Sequence, residues 1–398
     1  MEPRPSRSAP QCTSRWLPAI AVPLTLVALA TPPATAQDSV EGIPFHQYDP
    51  PATLVVPQHP LERARFPFID VHSHQGQMGD QDLGPLVAEM DALNMAVMVN
   101  LSGRGFRRAA NPDGTFRFGF QPGEYLKRSI ENAERSAPGR FVVFTNVDTT
   151  GIDEPGWAER ATAELATDVT NGAKGLKIYK SLGMDSKDGS GQRIPINDPR
   201  LDPIWRQCAQ LGVPVLIHTA DPAQFWQARD ANNERLYELI ERPERYRDPA
   251  TNPPWEQLIA EQHDLFRRHP RTQFINAHLG WLGNDLGRLG KLLDELPNVT
   301  TEIGAVLAEL GRQPRYAREW LIRYQDRVMF GKDAWAPPEY HTYFRVLETS
   351  DDYFDYYRRR HAFWKIYGLD LPDDVLKKIY YQNALRVIPG IDRSLFPD

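Results

Sequence analysis

The sequence predicts an α/β fold of the (β/α)8 TIM-barrel class, and three observations support this prediction. Apolar segments of strand length alternate eight times with helical patterns after residue 66. Several of these segments end in a residue able to bind a metal ion, as expected where active sites gather at the ends of barrel strands. His74 and Asp333, the first and last of these residues, are separated by about the 250 residues that such a barrel takes. Eight alternations favour one closed barrel over an open sheet.

The eight predicted strands are apolar runs separated by segments with helical periodicity. Two connections are longer than a barrel requires, one after the fifth strand at about 219–254 and one after the eighth at about 334–371. The second is too rich in aromatic residues to be left in water, so we expect it to pack as a lid or rim over the barrel mouth. The strands are expected near residues 66–72, 96–100, 141–147, 174–179, 213–218, 272–278, 299–303 and 327–331.

The first 36 residues have the pattern of a secretory signal peptide. Three arginines precede an apolar run, and a small-residue cleavage site ends at Ala36. Cleavage there would leave residues 37–65 as an extended arm and 66–398 as the barrel. We therefore expect an exported protein, periplasmic or extracellular, with no stable membrane insertion after cleavage.

The composition of the mature chain limits its partners. Cys208 is its only cysteine, so it cannot form an internal disulfide. The formal charge of −6 becomes −8 after cleavage, because three arginines and one glutamate leave with the signal peptide. This negative balance argues against nucleic acid and anionic membranes as partners. The expected partner is a small-molecule substrate, and assembly into a homo-oligomer is compatible with the sequence.

Two histidines at the end of the first predicted strand indicate a metal site. Asp70, His72 and His74 alternate along the strand, so their side chains point the same way. Neutral imidazoles suit a borderline metal such as Zn²⁺, because they share an ion without electrostatic cost. We expect Zn²⁺, with Mn²⁺ or Fe²⁺ as alternatives. Three further strand-like runs end in residues of metal-binding type, namely His218, His278 and Asp333.

The order and strand placement of these residues resemble the amidohydrolase superfamily. The resemblance extends over about residues 66–390. It is more specific to the amidohydrolase 2 branch, which includes metal-dependent hydrolases, lactonases and non-oxidative decarboxylases of the aminocarboxymuconate-semialdehyde type. The segments that carry it are Gly172-Ala-Lys-Gly-Leu-Lys177-Ile-Tyr, Ile217-His-Thr-Ala-Asp221, Ala277-His-Leu-Gly, Phe330-Gly-Lys-Asp333 and Tyr381-Gln-Asn-Ala-Leu-Arg386.

The resemblance implies that His72, His74 and His218 bind the metal, with Asp333 either a ligand or the base that deprotonates water. A divalent ion with three nitrogen ligands and an open position lowers the pKa of its bound water to about 7. A neighbouring carboxylate can take that proton and pass it to the leaving group. His278 is expected to polarise a substrate oxygen or serve as a general acid, and to be a ligand only in a two-metal site. One ion and two ions both stay open.

Lysines near the metal residues are the second part of the predicted site. Lys177 and Lys180 compete for the fourth-strand position, which in two-metal relatives is carboxylated and in others binds an anionic substrate group. We take Lys177 as the catalytic candidate and Lys180 as a substrate-binding candidate. Lys332 stands where the branch usually has Thr or Ser, and we expect its ammonium to pair with Asp333 and lower the basicity of that carboxylate. Asp70 is expected to orient a ligand or pack the strand.

Three further residues are candidates for substrate binding. Arg104 follows the second strand and offers a bidentate fork for a substrate carboxylate. Glu302 on the seventh strand either orients a ligand or substrate or pairs internally with a cation. Trp335 begins the aromatic connection, whose rings either line the pocket or only pack among themselves.

These residues predict a secreted, metal-dependent hydrolase that attacks an amide, ester or lactone of a small organic substrate. The alternative is a non-oxidative decarboxylase of a small aromatic or unsaturated carboxylic acid, which would use the same ion to hold its substrate. A third hypothesis is a barrel that has lost catalysis and binds a ligand through its aromatic connection. Because all the expected ligands are present and export favours hydrolysis, we place the hydrolase first.

Overall fold

The computed structural model describes residues 42–44, 47–110, 116–121 and 124–397. The chain forms two compact units, Met1–Ala52 and Thr53–Asp398. The predicted signal peptide, residues 1–36, and the start of the arm lie outside the described residues. Within the described ranges, every helix is too short or too polar to cross a membrane.

Eight parallel strands in the second unit form the barrel wall, with β5 and β6 together counted as one. Hydrogen-bonded strands run in the order β1-β2-β5 and β6-β7-β8-β9-β10-β11, and β5 and β6 are consecutive halves of one strand interrupted at Phe144. A hydrogen bond from the Val71 N–H to the Phe330 carbonyl, 3.0 Å long, joins β1 to the end of β11 and closes the ring. The strands are β1 Phe68–Ser73, β2 Met95–Asn100, β3 Arg107–Ala110, β4 Phe116–Gly119, β5 Phe141–Val143, β6 Thr145–Asn146, β7 Leu176–Ile178, β8 Val215–Ile217, β9 Phe274–Asn276, β10 Val299–Glu302 and β11 Val328–Met329.

The predicted α/β class and TIM barrel are confirmed, because each of the eight predicted strands overlaps an observed one. All six residues of β1 are buried, as expected for a parallel strand covered on both faces. The antiparallel pair β3 and β4 is an addition that the sequence did not predict. The α-helices are α1 Gly84–Leu93, α2 Tyr125–Ser136, α3 Trp157–Thr170, α4 Ser181–Met184, α5 Asp202–Leu211, α6 Leu236–Glu241, α7 Trp255–Arg268, α8 Leu286–Glu295, α9 Leu307–Gly311, α10 Pro314–Arg323, α11 Pro337–Glu348, α12 Asp373–Lys377 and α13 Asn383–Val387.

The connection after the eighth strand differs from the expected rim. Its helix α11 packs on the side of the barrel, where the rings of Tyr340 and Phe344 lie against Phe68 of β1 and against Phe330. Tyr340 and Phe344 are fully buried. Much of the aromatic surface that the sequence assigned to a lid therefore packs the barrel wall, which explains why it is so apolar.

Residues 53–65 run without helix or strand and are fixed by polar contacts to the far end of α11. The backbone N–H of His59 donates to Asp351 at 2.6 Å, and the backbone N–H of Arg65 donates to Glu348 at 3.0 Å. Residues 53–65 of the predicted arm thus lie against the connection that follows the last barrel strand.

The connection after β8 is held to the barrel by buried charges. Arg235 lies just before α6, is 4 % exposed, and contacts Glu238 at 3.1 Å and Glu309 of α9 at 2.8 Å. Glu238 also pairs with Arg245. Desolvated charges are tolerated only when they are paired, so Arg235 fixes this connection against α9.

We expect Arg235→Met to reduce the free energy of unfolding by about 3 kcal/mol, because it leaves two buried carboxylates with incomplete pairing. Arg242→Met is the matched control, since Arg242 belongs to the same connection but is exposed. Urea unfolding of the two variants measures the difference. Equal midpoints for the Arg235 variant and the unsubstituted chain would show that this pairing does not stabilise the fold.

Candidate metal centre

Two histidines and an aspartate meet where β1 and β11 end. The backbone N–H of Asp333 donates to the carbonyl of His72 at 2.7 Å, which sets the carboxylate beside the imidazoles. One oxygen of Asp333 lies 3.5 Å from Nε2 of His72 and 3.5 Å from Nε2 of His74. The three potential ligand atoms lie within 4.8 Å of one another, close enough for one ion to bind all three.

A second group of ligand atoms shares His72 and adds His278 and Glu302, again within 4.8 Å of one another. His278 follows β9 in a left-handed turn over Ala277–Trp281, with φ of 58° at the histidine. Its Nδ1 donates to the Gly304 carbonyl at 2.8 Å, so its Nε2 carries a lone pair. That Nε2 is buried and has no hydrogen-bond partner among the described residues. A buried acceptor without a partner is unfavourable, and a bound cation or a substrate proton would satisfy it.

The other imidazoles are also fixed in single tautomers by their hydrogen-bond partners. Nδ1 of His72 donates to Glu302 at 2.9 Å, which leaves its Nε2 as the lone-pair atom. His218, after β8, contacts the Ala220 carbonyl through Nε2 at 3.1 Å, so this nitrogen carries the hydrogen and Nδ1 has the lone pair. Each ring therefore offers one unprotonated nitrogen, which is the form that binds a metal.

A short chain of hydroxyl groups fixes the tautomer of His74. The Tyr179 hydroxyl donates to the Leu101 carbonyl at 2.9 Å and therefore accepts from the Ser102 hydroxyl, 3.1 Å away. Ser102 has then used its hydrogen, so it accepts from Nδ1 of His74 at 2.7 Å. The lone pair of His74 is consequently on Nε2, the atom that faces Asp333.

Glu302 lies behind the ligands rather than in a substrate pocket. It is fully buried and accepts hydrogen bonds from His72, from the backbone N–H of His278 at 2.7 Å and from the backbone N–H of Gly304. Gly331 allows this approach, because a Cβ there would lie 3.1 Å from the Cβ of His72 and closer still to the Glu302 carboxylate. Both oxygens of Glu302 are engaged, so its role is to orient His72 and His278.

Asp70 binds the backbone beneath the site. One of its oxygens accepts from the backbone N–H of His72 at 2.9 Å and of Lys332 at 3.1 Å, and the other accepts from the Tyr340 hydroxyl at 2.6 Å. Burial raises the pKa of Asp70 to about 7, against the effect of these donors. The carboxylate thus holds β1 and the end of β11 together, as a packing residue of the strand rather than a ligand.

The site combines neutral imidazoles with ionised carboxylates. Burial lowers the pKa of His72 to about 3 and that of His218 well below its ordinary value. Burial by itself would raise the pKa of Asp333, but its close contacts with the imidazoles of His74, His72 and His278 hold it well below its ordinary range. Burial likewise opposes ionisation of Glu302, and contacts with His72 and the His278 N–H nevertheless lower its pKa to about 2. Such a donor set has the charge and atom types that a divalent cation requires.

The two candidate lysines have different surroundings. Lys177 is 1 % exposed, and its Nζ lies 3.4 Å from Nε2 of His72. Burial lowers its pKa to about 8, although Asp333 and Glu302 oppose this. Lys180 instead pairs with Asp221 at 2.5 Å on the connection after β8. The structure therefore places Lys177 against the imidazoles and Lys180 in an ion pair beside them.

Two substrate-binding candidates lie outside this group. Arg104 is paired with Glu164 at 2.6 Å and Asp168 at 2.7 Å, both on α3, so its fork binds the protein's own carboxylates. The indole N–H of Trp335 donates to Glu89 of α1 at 3.0 Å. Neither side chain contacts the imidazoles in the described contacts.

The predicted pairing of Lys332 with Asp333 is wrong. Its ammonium turns away from that carboxylate and donates to Glu339 and to the Ala334 carbonyl. The backbone explains the difference, because Asp333 adopts a φ of 84° that separates the directions of the two side chains.

Residues that sequence reasoning missed line the mouth of the site. The ring of Trp281 lies 4.7 Å from that of His278 and 5.7 Å from that of His218. Only the left-handed turn brings it back to the histidine, so its position in the sequence gave no indication. For Ser102 the sequence gave a weak indication, because Ser102 is a polar residue just beyond β2.

A cavity of about 90 Å³ opens beside Lys177, lined also by Phe120, Tyr179 and Leu182.

A larger cavity, of about 710 Å³, lies between α10 and the last part of the connection after β11. It is lined by Tyr316, Arg318, Tyr367 and Asp370, among others, and by none of the residues of the metal group. Its size alone gives no chemical function, whereas the smaller cavity contacts Lys177.

Fold and side chains together define a TIM-barrel enzyme with a divalent-metal site at the carboxyl ends of its strands. A family model described as "Amidohydrolase", the amidohydrolase 2 family, matches residues 69–390. The chain belongs to this family, and it is an enzyme of the amidohydrolase superfamily.

Solved structures with the same fold share little sequence with this chain. An uncharacterised TIM-barrel protein from Bordetella bronchiseptica is 15 % identical over 80 % of this chain and 97 % of its own, with a TM-score of 0.48. A dihydroxybenzoic acid decarboxylase from Polaromonas sp. JS666, with bound manganese and 2-nitroresorcinol, is 13 % identical over 80 % of this chain and 96 % of its own, with a TM-score of 0.49.

A probable 2-pyrone-4,6-dicarboxylic acid hydrolase from Acinetobacter baumannii, with citric acid bound, is 13 % identical over 81 % of this chain and 98 % of its own, with a TM-score of 0.40. No curated protein sequence matches the chain. Similarity at this level does not assign an activity.

We expect Glu302→Gln to weaken binding of a divalent metal about 10-fold or more, because an amide is a poorer orienting partner for His72 than a carboxylate. Equilibrium titration with Zn²⁺ against a competing chelator measures the change. Glu295→Gln is the control, since Glu295 at the end of α8 is exposed and pairs with Arg267 of α7. Equal affinities of the two variants would contradict the orienting role.

Proposed function

We propose that the chain is a metal-dependent hydrolase that cleaves a carbonyl-type bond, an amide, ester or lactone, in a small organic substrate. The observation that carries this proposal is the position of Asp333, 3.5 Å from Nε2 of both His72 and His74. A carboxylate beside two neutral imidazoles can help hold a cation and accept a proton from water in the same place.

The proposed ligands are His72, His74 and Asp333, whose ligand atoms lie within 4.8 Å of one another. We add His218, which belongs to neither group of close ligand atoms but whose ring centre lies 4.4 Å from that of His278. Their unprotonated nitrogens and ionised carboxylate fit a divalent ion, with Zn²⁺ preferred for its affinity for imidazole. Once bound, such an ion polarises a substrate carbonyl and lowers the pKa of water. We propose one ion rather than two, because hydrogen bonds from three donors already occupy the oxygens of Glu302.

Asp333 and His278 divide the proton transfers. The low pKa of Asp333 keeps its carboxylate ionised at neutral pH, so it is ready to accept a hydrogen bond from the attacking water and orient it. Nδ1 of His278 is occupied by its hydrogen bond to the Gly304 carbonyl, so Nε2, which has no partner among the described residues, is the ring atom that can exchange a proton. We therefore assign His278 to accepting a proton at Nε2 and returning it to the leaving group.

The surrounding side chains suit a small substrate with a flat, partly apolar body. The cavity beside Lys177 is bordered by the rings of Phe120 and Tyr179, and the ring of Trp281 lies 4.7 Å from that of His278. The ammonium of Lys177 lies 5.5 Å from the centre of the Tyr179 ring. A negative charge that develops on a substrate oxygen would be stabilised there.

A non-oxidative decarboxylase is the second candidate, and Lys177 is the observation that favours it. A buried cation beside the metal ligands, next to a cavity, is suited to holding a substrate carboxylate. The two candidates use the same residues and differ in whether water enters the product.

We expect the metal-loaded chain to hydrolyse at least one member of a panel of aryl esters, lactones and anilides, with ¹⁸O from labelled water in the acid product. Asp333→Asn should reduce kcat about 100-fold or more, because it removes the carboxylate that helps to hold the ion and orients the attacking water. Asp355→Asn is the control, since its carboxylate is exposed and pairs only with Lys365 in the described contacts.

The same assay includes 2,6-dihydroxybenzoate. Release of CO₂ from this acid, with no ¹⁸O in any product and no hydrolysis in the panel, would contradict the hydrolase proposal and support the decarboxylase. Turnover that survives unchanged in Asp333→Asn would contradict both.

A further inference from the structure

The carboxylate of Asp333 is attached to a backbone in an unfavourable conformation. Its φ of 84° is in the left-handed region, which is unfavourable for a residue other than glycine. Such a conformation persists only where the surroundings hold it. On the N-terminal side of Asp333 two hydrogen bonds restrain the backbone: the Asp333 N–H donates to the His72 carbonyl, and the Lys332 N–H donates to the Asp70 carboxylate.

On its C-terminal side the hold comes from the side chain of Lys332. Its Nζ donates to the carbonyl of Ala334 at 2.7 Å, so the lysine spans the residue between them. The side chain is 1 % exposed, although lysine is almost never buried to that extent. This hydrogen bond links the residues on either side of Asp333, the Lys332 side chain and the Ala334 carbonyl, and so restrains the backbone between them.

The ammonium of Lys332 is itself held by the connection after β11. It pairs with Glu339 on α11, and Glu339 also receives two hydrogen bonds from Arg358, at 2.9 and 2.8 Å. The rings of Tyr340 and Tyr357 lie 5.5 and 5.3 Å from the ammonium, near enough for cation–π contact. Within the described residues, the hydrogen-bond and cation–π partners of this buried cation are thus on the connection itself.

Burial of this charge is hard to explain by stability alone. Buried ion pairs contribute little net stability compared with apolar side chains of similar volume, because both ions lose their hydration. An apolar residue at position 332 would pack between the two rings without that cost. What an apolar residue cannot do is bind the Ala334 carbonyl and restrain the backbone of Asp333.

We propose that Lys332 is a positioning residue for the metal-site carboxylate, and that the group Lys332, Glu339 and Arg358 couples the connection after β11 to the metal site. The group restrains the backbone on both sides of Asp333 and so directs its oxygen toward His72 and His74. This inference rests on the proposed metal-dependent function, in which Asp333 binds the ion.

Co²⁺ binding tests the proposal without a substrate, because the visible absorption of Co²⁺ depends on its ligands and their geometry. The variants are Lys332→Met, which keeps the volume and removes the donor, and Glu339→Gln, which weakens the group from α11. The control is Lys365→Met, since Lys365 pairs with Asp355 in the same connection but is remote from Asp333 in sequence and contacts.

We expect Lys332→Met to weaken Co²⁺ binding about 10-fold or more and to change the Co²⁺ spectrum, as loss of a group that orients a ligand does. Glu339→Gln should change both in the same direction by a smaller factor, and Lys365→Met should change neither. The Glu339 variant decides the matter if Lys332→Met does not fold. Where a substrate is in hand, kcat should fall more than KM rises.

Co²⁺ affinity and spectrum that stay unchanged in both Lys332→Met and Glu339→Gln would overturn this inference and leave the proposed function intact. An unsubstituted chain that binds no Co²⁺ would overturn the proposed function and this inference together. A change of equal size in Lys365→Met would show that the effect is a general loss of packing, and would also overturn the positioning role.

Discussion

Closure of the barrel between β1 and β11 is the constraint on which the site depends. The residues that must meet there, His72 and Asp333, come from opposite ends of the barrel sequence. Two backbone hydrogen bonds, Val71 to Phe330 and Asp333 to His72, join the strands, and the buried carboxylate of Asp70 binds the N–H groups of both. The candidate metal ligands His72 and Asp333 are therefore brought together by the same bonds that complete the fold.

This closure also sets the electrostatics of the site. The buried imidazole of His72 stays neutral. Asp333 stays ionised beside the imidazoles, and Glu302 stays ionised because it contacts His72 and accepts from the backbone N–H of His278. The result is a close pair of negative charges, the fully buried Glu302 and the partly exposed Asp333, which a cation balances well. Lys177 supplies part of that balance from β7, and a divalent ion would supply the rest.

The sequence predicted the barrel and the metal residues because both depend on local patterns: strand-length apolar runs, and a polar residue at the end of each run. Knowing where the first and last strands end was enough to identify His72, His74 and Asp333 as candidates. Arg104 was misassigned as a clamp, because the carboxylates that bind it belong to a helix about sixty residues further along the chain. Lys332 and Trp281 depend on left-handed backbone conformations at Asp333 and after His278, and non-glycine residues give no sign of these.

The central claim is that these side chains bind a divalent ion, and the metal content of the purified chain tests it most directly. The protein should be isolated without chelator or histidine tag and analysed by inductively coupled plasma mass spectrometry, beside a chain with His72→Ala and His74→Ala. The account predicts about one divalent ion per chain, bound by a three- or four-ligand site, and almost none in the double variant. A chain that remains metal-free when Zn²⁺, Mn²⁺ and Fe²⁺ are offered, or a double variant that is as fully loaded as the unsubstituted chain, would contradict it.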